Sequence, residues 1–409
     1  MRSRALPMTT ISRAAKFAER TARLRASTIR EMLKVTQQPD VISFGGGLPA
    51  PELFPTEAIV EAVRVVMRDR GAAALQYSVT EGIPEMRRWV AQRLSGRFGK
   101  TVDEQSVTIV NGSQQGLDLI GKIFLDPGDH VVLENPTYLG VIQALDAYQA
   151  RYLTVDTDED GLLPDSLERV LERADPFPKL LYLVPNFQNP TGRTLSGRRR
   201  ESVVRICERF GLPIVEDDPY CELRFEGSDL PLLISYQTTA PIIYLGTGSK
   251  IMAPGMRIAW LVIPDEEIRE KIVLVKQGAD LHSGTFAQYV FHQYVSDGVA
   301  FDAHVREIAR TYARRRDVMS EALAEFMPEG VRFTRPAGGM FLWVTVPNVD
   351  TSELLRICAT SKVVFVPGVS FYPGRDVHDG MRLNFSNASE KNIRIGVERL
   401  ADAITAYNR

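Results

Sequence analysis

The run Tyr244-Leu-Gly-Thr-Gly-Ser-Lys-Ile-Met-Ala-Pro-Gly-Met-Arg257 puts a hydrophobic strand, two hydroxyls, one lysine and one arginine within fourteen residues. Lys250 stands at the end of that strand, and Arg257 follows seven residues on. The pair points to a site that holds an aldehyde and an anion together: an amine condenses with the first and a guanidinium pairs with the second. The competing reading is a solvated surface lysine, the ordinary fate of that residue type. The segments upstream bear on the choice.

Leu180-Leu-Tyr-Leu-Val-Pro-Asn-Phe-Gln-Asn-Pro-Thr-Gly192 opens as a buried strand and ends in a turn that carries Asn189. In open α/β sheets ligands bind at the carboxyl edge of the strands. Asn-Pro and Thr-Gly are also plain turn formers, so the turn alone leaves both readings open. Leu212-Pro-Ile-Val-Glu-Asp-Asp-Pro-Tyr220 is a second strand that runs into three acids. Adjacent carboxylates repel and are costly to bury, so either one has a cationic partner or all three form a solvated turn. A protonated pyridine nitrogen would be such a partner for Asp217, and Tyr220 would reach the same ring from its oxygen side. In Val107-Thr-Ile-Val-Asn-Gly-Ser-Gln-Gln-Gly-Leu-Asp-Leu-Ile120 a strand meets a glycine, a hydroxyl and an amphipathic helix that runs to about Leu125. Free N–H groups at that helix start make an anion site beside Ser113 and Gln114. Ser113 also fits a plain N-cap. Tyr138 ends His130-Val-Val-Leu-Glu-Asn-Pro-Thr-Tyr138, where it either stacks on a planar cofactor or packs into the core. A lysine, an acid, an aromatic and an anion cradle are what pyridoxal 5'-phosphate (PLP) requires.

In order and spacing, Gly112-Ser113-Gln114, Tyr138, Asn189-Pro190-Thr191-Gly192, Asp217 with Tyr220, Ser249-Lys250 and Arg257 resemble the fold-type-I PLP aminotransferases of class I/II. The resemblance covers nearly the whole chain. Ala26-Ser-Thr-Ile-Arg-Glu31, Phe44-Gly-Gly-Gly-Leu-Pro-Ala-Pro-Glu-Leu-Phe-Pro55 and Lys276-Gln-Gly-Ala-Asp-Leu-His282 bring it nearer the 2-aminoadipate, kynurenine and broad aromatic branch. The resemblance implies roles by position. Lys250 is the Schiff-base lysine and proton shuttle, and Asp217 pairs with the pyridine nitrogen. Asn189 and Tyr220 bond to the ring hydroxyl oxygen, while Tyr138 stacks on the ring. Ser113, Gln114, Thr247, Ser249 and Arg257 surround the phosphate. Tyr77 reaches the phosphate of a neighbouring subunit, which implies a homodimer. Arg382, in Met381-Arg-Leu-Asn-Phe-Ser386, clamps the substrate α-carboxylate, a bidentate task suited to a planar guanidinium. Gly46 lies beside the substrate. A helix with Ser27 and Arg30 flanks the substrate side chain, where Arg30 either pairs with a distal carboxylate or is a solvated helix residue.

The activity so implied moves the amino group of an L-amino acid to a 2-oxo acid by a ping-pong cycle. The donors are 2-aminoadipate, glutamate, aromatic or branched-chain amino acids, and the acceptor is 2-oxoglutarate. The same scaffold hosts decarboxylases, racemases and lyases, and also transaminases dedicated to antibiotic precursors. Arg382 counts against simple decarboxylation, because a clamped carboxylate tends to lie in the ring plane. Some transcription regulators resemble this family behind a winged-helix domain, but about forty residues before Phe44 are too few for one. The chain departs from many relatives at Thr247-Gly248-Ser249, where they carry Ser-Phe-Ser, and at Val79, where proline is common. Loss of the aromatic at 248 is expected to loosen or reshape the packing there.

The chain has 409 residues, 44% of them hydrophobic and 24% charged, as in a globular protein with a large core. Its 49 basic and 51 acidic residues leave a net charge of -2, which argues against a nucleic-acid surface. Cys207, Cys221 and Cys358 have no paired spacing, so a reducing cytoplasm is expected and no metal site. No apolar run approaches the roughly 20 residues of a membrane span. Met1 to Arg30 is basic and lacks the apolar core of a secretory signal, and it reads as an arm leading into a helix near Ser27 to Leu33. Arg198-Arg-Arg200 and Arg314-Arg-Arg316 read as solvated helix faces.

Strands near 107–111, 130–134, 180–185, 212–217, 242–246 and 258–263 alternate with helical segments. That pattern predicts an α/β fold with a mostly parallel central sheet flanked by helices. With the resemblance it becomes PLP-transferase fold type I. The expected division is 1–35 for the arm and substrate-side helix, 36–59 for the N-terminal part of a small domain, 60–305 for the large PLP-binding domain and 306–409 for the C-terminal small domain. The small domain is α+β, built on Met340-Phe-Leu-Trp-Val-Thr-Val346, Val363-Val-Phe-Val366 and Met381-Arg-Leu-Asn-Phe385, and joined by Val41-Ile-Ser-Phe44. The long helical run from Phe301 to Phe326 links the two, with the active site between them.

Overall fold

The computed structural model describes residues 17–22 and 40–407. Of the expected arm only residues 17–22 are described, with a short 3-10 turn at Glu19–Ala22, and the helix near Ser27 to Leu33, with Ser27 and Arg30, lies outside the described residues. The first described strand is β1 (Ile42–Ser43). The next eight form one sheet: β2 (Val107–Val110), β3 (His130–Asn135), β4 (Arg151–Asp158), β5 (Gly161–Leu162), β6 (Leu180–Leu183), β7 (Ile214–Asp217), β8 (Ile242–Thr247) and β9 (Ala259–Val262). Their order is β2-β9-β8-β7-β6-β3-β4-β5. β9 runs antiparallel to both neighbours and β5 antiparallel to β4, while the other pairings are parallel.

Strands β2, β6, β7 and β9 are buried along their whole length. A sheet covered on both faces needs apolar residues on both, so these strands read as unbroken apolar runs. Alternation still sorts the side chains. Tyr182 and Val215 join the larger core, while Leu181, Leu183 and Ile214 join a second layer. The helices Pro164–Arg173 and Gly197–Phe210 cover that layer with Leu167, Leu171, Val203 and Val204. Each such side chain contributes roughly 1.5–3 kcal/mol when fully buried, more than helix propensity supplies. Strand β4 was not anticipated from the sequence. Only Val155 within it is buried, because its outer neighbour is the two-residue β5.

The chain progresses from β3 to β4 in one direction and from β6 through β8 in the other. The order reverses between β3 and β6, and the carboxyl ends of the strands there open into a crevice. A second sheet faces it. This sheet and its flank comprise β10 (Arg332–Phe333), β11 (Phe341–Thr345), β12 (Val363–Val364), β13 (Val366–Pro367) and β14 (Gly380–Asn384). The antiparallel order is β10-β11-β14-β13, and β12 pairs in parallel with β1. N-terminal residues are thereby tied to C-terminal ones. The helix Gly298–Phe326 begins at Asp297, whose side chain accepts from Ala300 N, and it packs on the helix Glu390–Tyr407.

The two arginine runs are not wholly solvated. Arg200 is 0% exposed and Arg316 2%. Arg200 donates to the carbonyls of Leu195 (2.9 Å), Pro231 (2.9 Å) and Pro185 (3.0 Å) and to Asn186 Oδ1 (2.6 Å). Arg316 donates to Pro336 O and Glu226, and Arg315 to Ser386 O and Glu52. A buried guanidinium is tolerated where carbonyls and carboxylates accept from it, and loop carbonyls and nearby side chains do that here. Among the described residues, no helix is long and apolar enough to cross a membrane, and no cluster of ligating side chains could hold a metal ion.

Candidate active site

A cavity of about 340 Å³ lies where the crevice of the large sheet meets the small one. Its lining brings together Gly46, Ser113, Gln114, Tyr138, Asn189, Asp217, Tyr220, Thr247, Ser249, Lys250, Arg257 and Arg382. Nearly every one stands just past the carboxyl end of a strand or within one. Ser113 opens the helix Ser113–Phe124 after β2, Tyr138 follows β3 and Asn189 follows β6. Asp217 ends β7, Thr247 ends β8 and Arg382 sits mid-strand in β14. Local bonds hold these turns. Gln188 Nε2 donates to Pro136 O at 2.8 Å, joining the turn after β6 to the turn after β3.

The three acids of Glu216-Asp217-Asp218 now separate. Glu216 faces the second layer and accepts from Leu233 N and Ile234 N. Asp218 accepts from Asn186 Nδ2 and Tyr244 OH. Asp217 alone faces the cavity; its Oδ2 accepts from Tyr182 OH at 2.6 Å and its Oδ1 has no partner. Burial pushes its carboxyl up to about 7, against the pull of the Tyr182 bond.

Lys250 Nζ donates to Gly47 O at 2.9 Å. Burial first, then the positive charges of Arg382 and Arg257, lower its amine to about 8. A lysine so placed has a sizeable neutral, nucleophilic fraction near neutral pH. Arg382 is 1% exposed. It donates to Asn189 Oδ1 at 2.9 Å and Gly45 O at 2.5 Å, and its guanidinium lies 4.3 Å from the Phe341 ring centroid. Its Nε is buried without a partner. Burial lifts the hydroxyls of Tyr138, to about 12, and of Tyr220, so both remain neutral.

The N-cap of the helix Ser113–Phe124 is Gly112, at φ 79° and ψ 158°. Ser113 is therefore not the cap, and its Oγ is buried with no partner. A Cβ on Gly112 would stand 2.0 Å from Arg257 Nη2, so the missing side chain is what admits the guanidinium. Thr247 Oγ1 bonds to Ser249 Oγ at 3.0 Å and accepts from Ser249 N. Gln114 lines the cavity with its amide tied to Gly140 O at 2.9 Å. Gly248 does not leave a loose spot: the ring of Phe291, from the helix Thr285–Val295, fills the place an aromatic at 248 would take.

The structure does not bring Tyr77 into this cavity. It is 78% exposed, with its ring edge-on to His282 at 5.8 Å. Sequence reasoning missed Tyr182, Phe341 and Gly47. Tyr182 and Phe341 sit inside strands already read as apolar core, where an aromatic carries no separate signal. Gly47 acts through its carbonyl, which no side-chain pattern reports.

This donor set fits PLP. An amine of lowered basicity would meet the aldehyde. An unpartnered buried hydroxyl, a helix start and an arginine in a glycine-made cradle would meet the phosphate. An unpartnered carboxylate oxygen would meet a protonated ring nitrogen. The fold and the site thus define a PLP-dependent enzyme of fold type I. Comparison with known proteins narrows the class. The profile of Aminotransferase class I and II matches residues 39–400. "Aromatic-amino-acid aminotransferase 1" of Thermococcus litoralis is 41% identical over 95% of this chain and 94% of its own. "2-aminoadipate transaminase" of Thermus thermophilus is 42% identical over 95% of this chain and 96% of its own. A crystal structure of Pyrococcus horikoshii kynurenine aminotransferase superposes with a TM-score of 0.92 at 40% identity, covering 97% of this chain and 98% of that one. The chain belongs to the class I and II aminotransferases.

Proposed function

We propose that this aminotransferase takes 2-aminoadipate, glutamate and aromatic or branched-chain L-amino acids as donors, with 2-oxoglutarate as acceptor, in a ping-pong cycle. One observation carries the reading: Lys250, Asp217 and Arg382 converge on one cavity, so an amine, a carboxylate and a guanidinium act on a single bound amino acid. The names of the relatives support the donor range. When bound, PLP supplies an electron sink that acidifies the amino acid's Cα–H bond.

The chain's own residues do the rest. Lys250 is the covalent anchor, and its Nζ takes the Cα proton and returns it on the other side of the reaction. Asp217 holds the ring-nitrogen proton. Asn189 and Tyr220 donate toward the ring oxygen, and Tyr138 covers one ring face. Ser113, Gln114, Thr247, Ser249 and Arg257 hold the phosphate. Arg382 orients the α-carboxylate, a role that Phe341 supports by packing on its guanidinium. Gly46 leaves room beside the substrate. Tyr77, exposed on its own protomer, serves the site of a second copy in a cytoplasmic homodimer. Ser27 and Arg30 flank the side chain of the donor.

Two experiments test this. Holoenzyme mixed with one amino acid and no acceptor should yield one equivalent of 2-oxo acid and of pyridoxamine phosphate. Turnover beyond one equivalent would refute the transaminase cycle. A kcat/KM panel of donors with 2-oxoglutarate should lose the dicarboxylic donors selectively in Arg30→Ala. Equal losses for all donors would remove Arg30 from specificity.

A further inference from the structure

We infer that Tyr182 is the positioning residue that orients Asp217 and keeps it charged for the cofactor ring. The inference rests on the role given to Asp217 above. Tyr182 lies on β6, 1% exposed, and its hydroxyl reaches across to Asp217 on β7. Among the described residues no other donor touches that carboxylate. The bond holds Oδ2 and leaves Oδ1 buried and unpartnered in a residue that lines the cavity. The direction of the bond is fixed, because burial and the nearby Asp217 push the phenol well above 10 and leave it a donor at any working pH.

The groups around the carboxylate make this bond decisive. Asp218, on the same chain segment, pushes Asp217 toward the neutral acid. Tyr138 and Tyr220 face it as neutral hydroxyls. Glu134 on β3 lies behind Tyr182; burial raises its own carboxyl to about 7, and it accepts from Val184 N. Lys250, Arg257 and Arg382 line the cavity, but none forms a bond to Asp217. Tyr182 is the neighbour that favours the carboxylate through a direct hydrogen bond. A cationic ring nitrogen pairs with a carboxylate and not with a carboxylic acid, so cofactor affinity should rise with pH through the titration of Asp217.

The test uses apoprotein of the wild type, Tyr182→Phe, Asp217→Asn and the double variant. The equilibrium Kd for PLP is measured from about pH 6 to 9, across the titration range of a raised carboxyl. Tyr182→Phe should weaken PLP binding roughly tenfold near neutral pH, the scale of one hydrogen bond to a charged group. It should also move the affinity midpoint upward in pH. In the Asp217→Asn background it should cost nothing further. Should Tyr182→Phe misfold, 3-fluorotyrosine at 182 keeps the shape and makes the phenol more acidic, and the midpoint should move downward. An unchanged Kd and midpoint, or the same loss with Asn at 217, would overturn the assignment of Tyr182. If Asp217→Asn itself leaves PLP affinity unchanged, the role of Asp217 falls and the inference with it.

Discussion

Replacing Gly112 with alanine tests how the anion cradle is built. Gly112 holds φ 79° and ψ 158°, a region essentially restricted to glycine, where another residue costs about 1–3 kcal/mol. The new Cβ would also stand 2.0 Å from Arg257 Nη2 and 2.6 Å from its Cζ. The guanidinium is held there by long bonds, 3.2 Å to Asn111 O and 3.3 Å to Pro254 O. It therefore yields before the backbone does, and the charge leaves the cavity. Losing a hydrogen bond between charged groups costs about 1.5–3 kcal/mol, or roughly 10- to 150-fold in Kd for PLP. The stability cost is spread over 409 residues at about 2.1 cal/mol/K each, so the melting temperature of the apoprotein falls only about 1–4 °C. Gly211→Ala is the control. Gly211 also has positive φ, 65°, but nothing lies within 4 Å of its Cβ position. It should lower the melting temperature and leave PLP affinity alone. If Gly112→Ala binds PLP like the wild type while melting lower, Arg257 is not part of the cradle and the reasoning fails.

Two further outcomes follow from the same geometry. In the proposed role of Lys250 the neutral amine is the nucleophile, and burial lowers its pKa to about 8, so covalent capture of PLP should speed up as pH rises through about 8 and then level off. Arg257→Leu removes one of the lowering charges and should move that midpoint upward toward the ordinary lysine value; stopped-flow absorbance against pH reads it, and a downward move would refute it. Arg200→Met strips the donors from three carbonyls and Asn186, so the protein should lose at least about 1–3 kcal/mol in denaturant titration, the cost of a buried acceptor left without its donor. A change under about 1 kcal/mol would mean that water takes over those carbonyls.

Lys250 was legible because a strand, two hydroxyls and an arginine frame it in one short run. The large sheet was legible because its central strands are buried on both faces and therefore apolar throughout. The sequence named Asp217 among Glu216-Asp217-Asp218, but what sets it apart from its two neighbours was not visible there. The answer depends on what lies across each face: Leu233 and Ile234 amides for one, Asn186 for another, the cavity for the third. Arg200 looked solvated because three arginines in a row resemble a surface stripe. Its partners include carbonyls 15 and 31 positions away in the chain, which no local pattern contains. Gly248 looked like a gap for the same reason, since the ring that fills it comes from Phe291. Tyr182 hid inside an apolar strand, and its partner belongs to the neighbouring strand.

Three main-chain oxygens in the strap after β1 clasp the two halves of the cleft: Gly45 O takes Arg382, Gly47 O takes Lys250 and Leu48 O takes Ser386 Oγ. On the strap itself, none of these acceptors belongs to a side chain. Alanine scanning across the strap would pass over them, and tolerated replacements there would be mistaken for a segment without a task. Amide-to-ester replacement in the backbone is the probe that sees them, because an ester carbonyl is a weaker acceptor. In this cleft, part of what holds Lys250 and Arg382 is written in the peptide bonds and is open to no codon change.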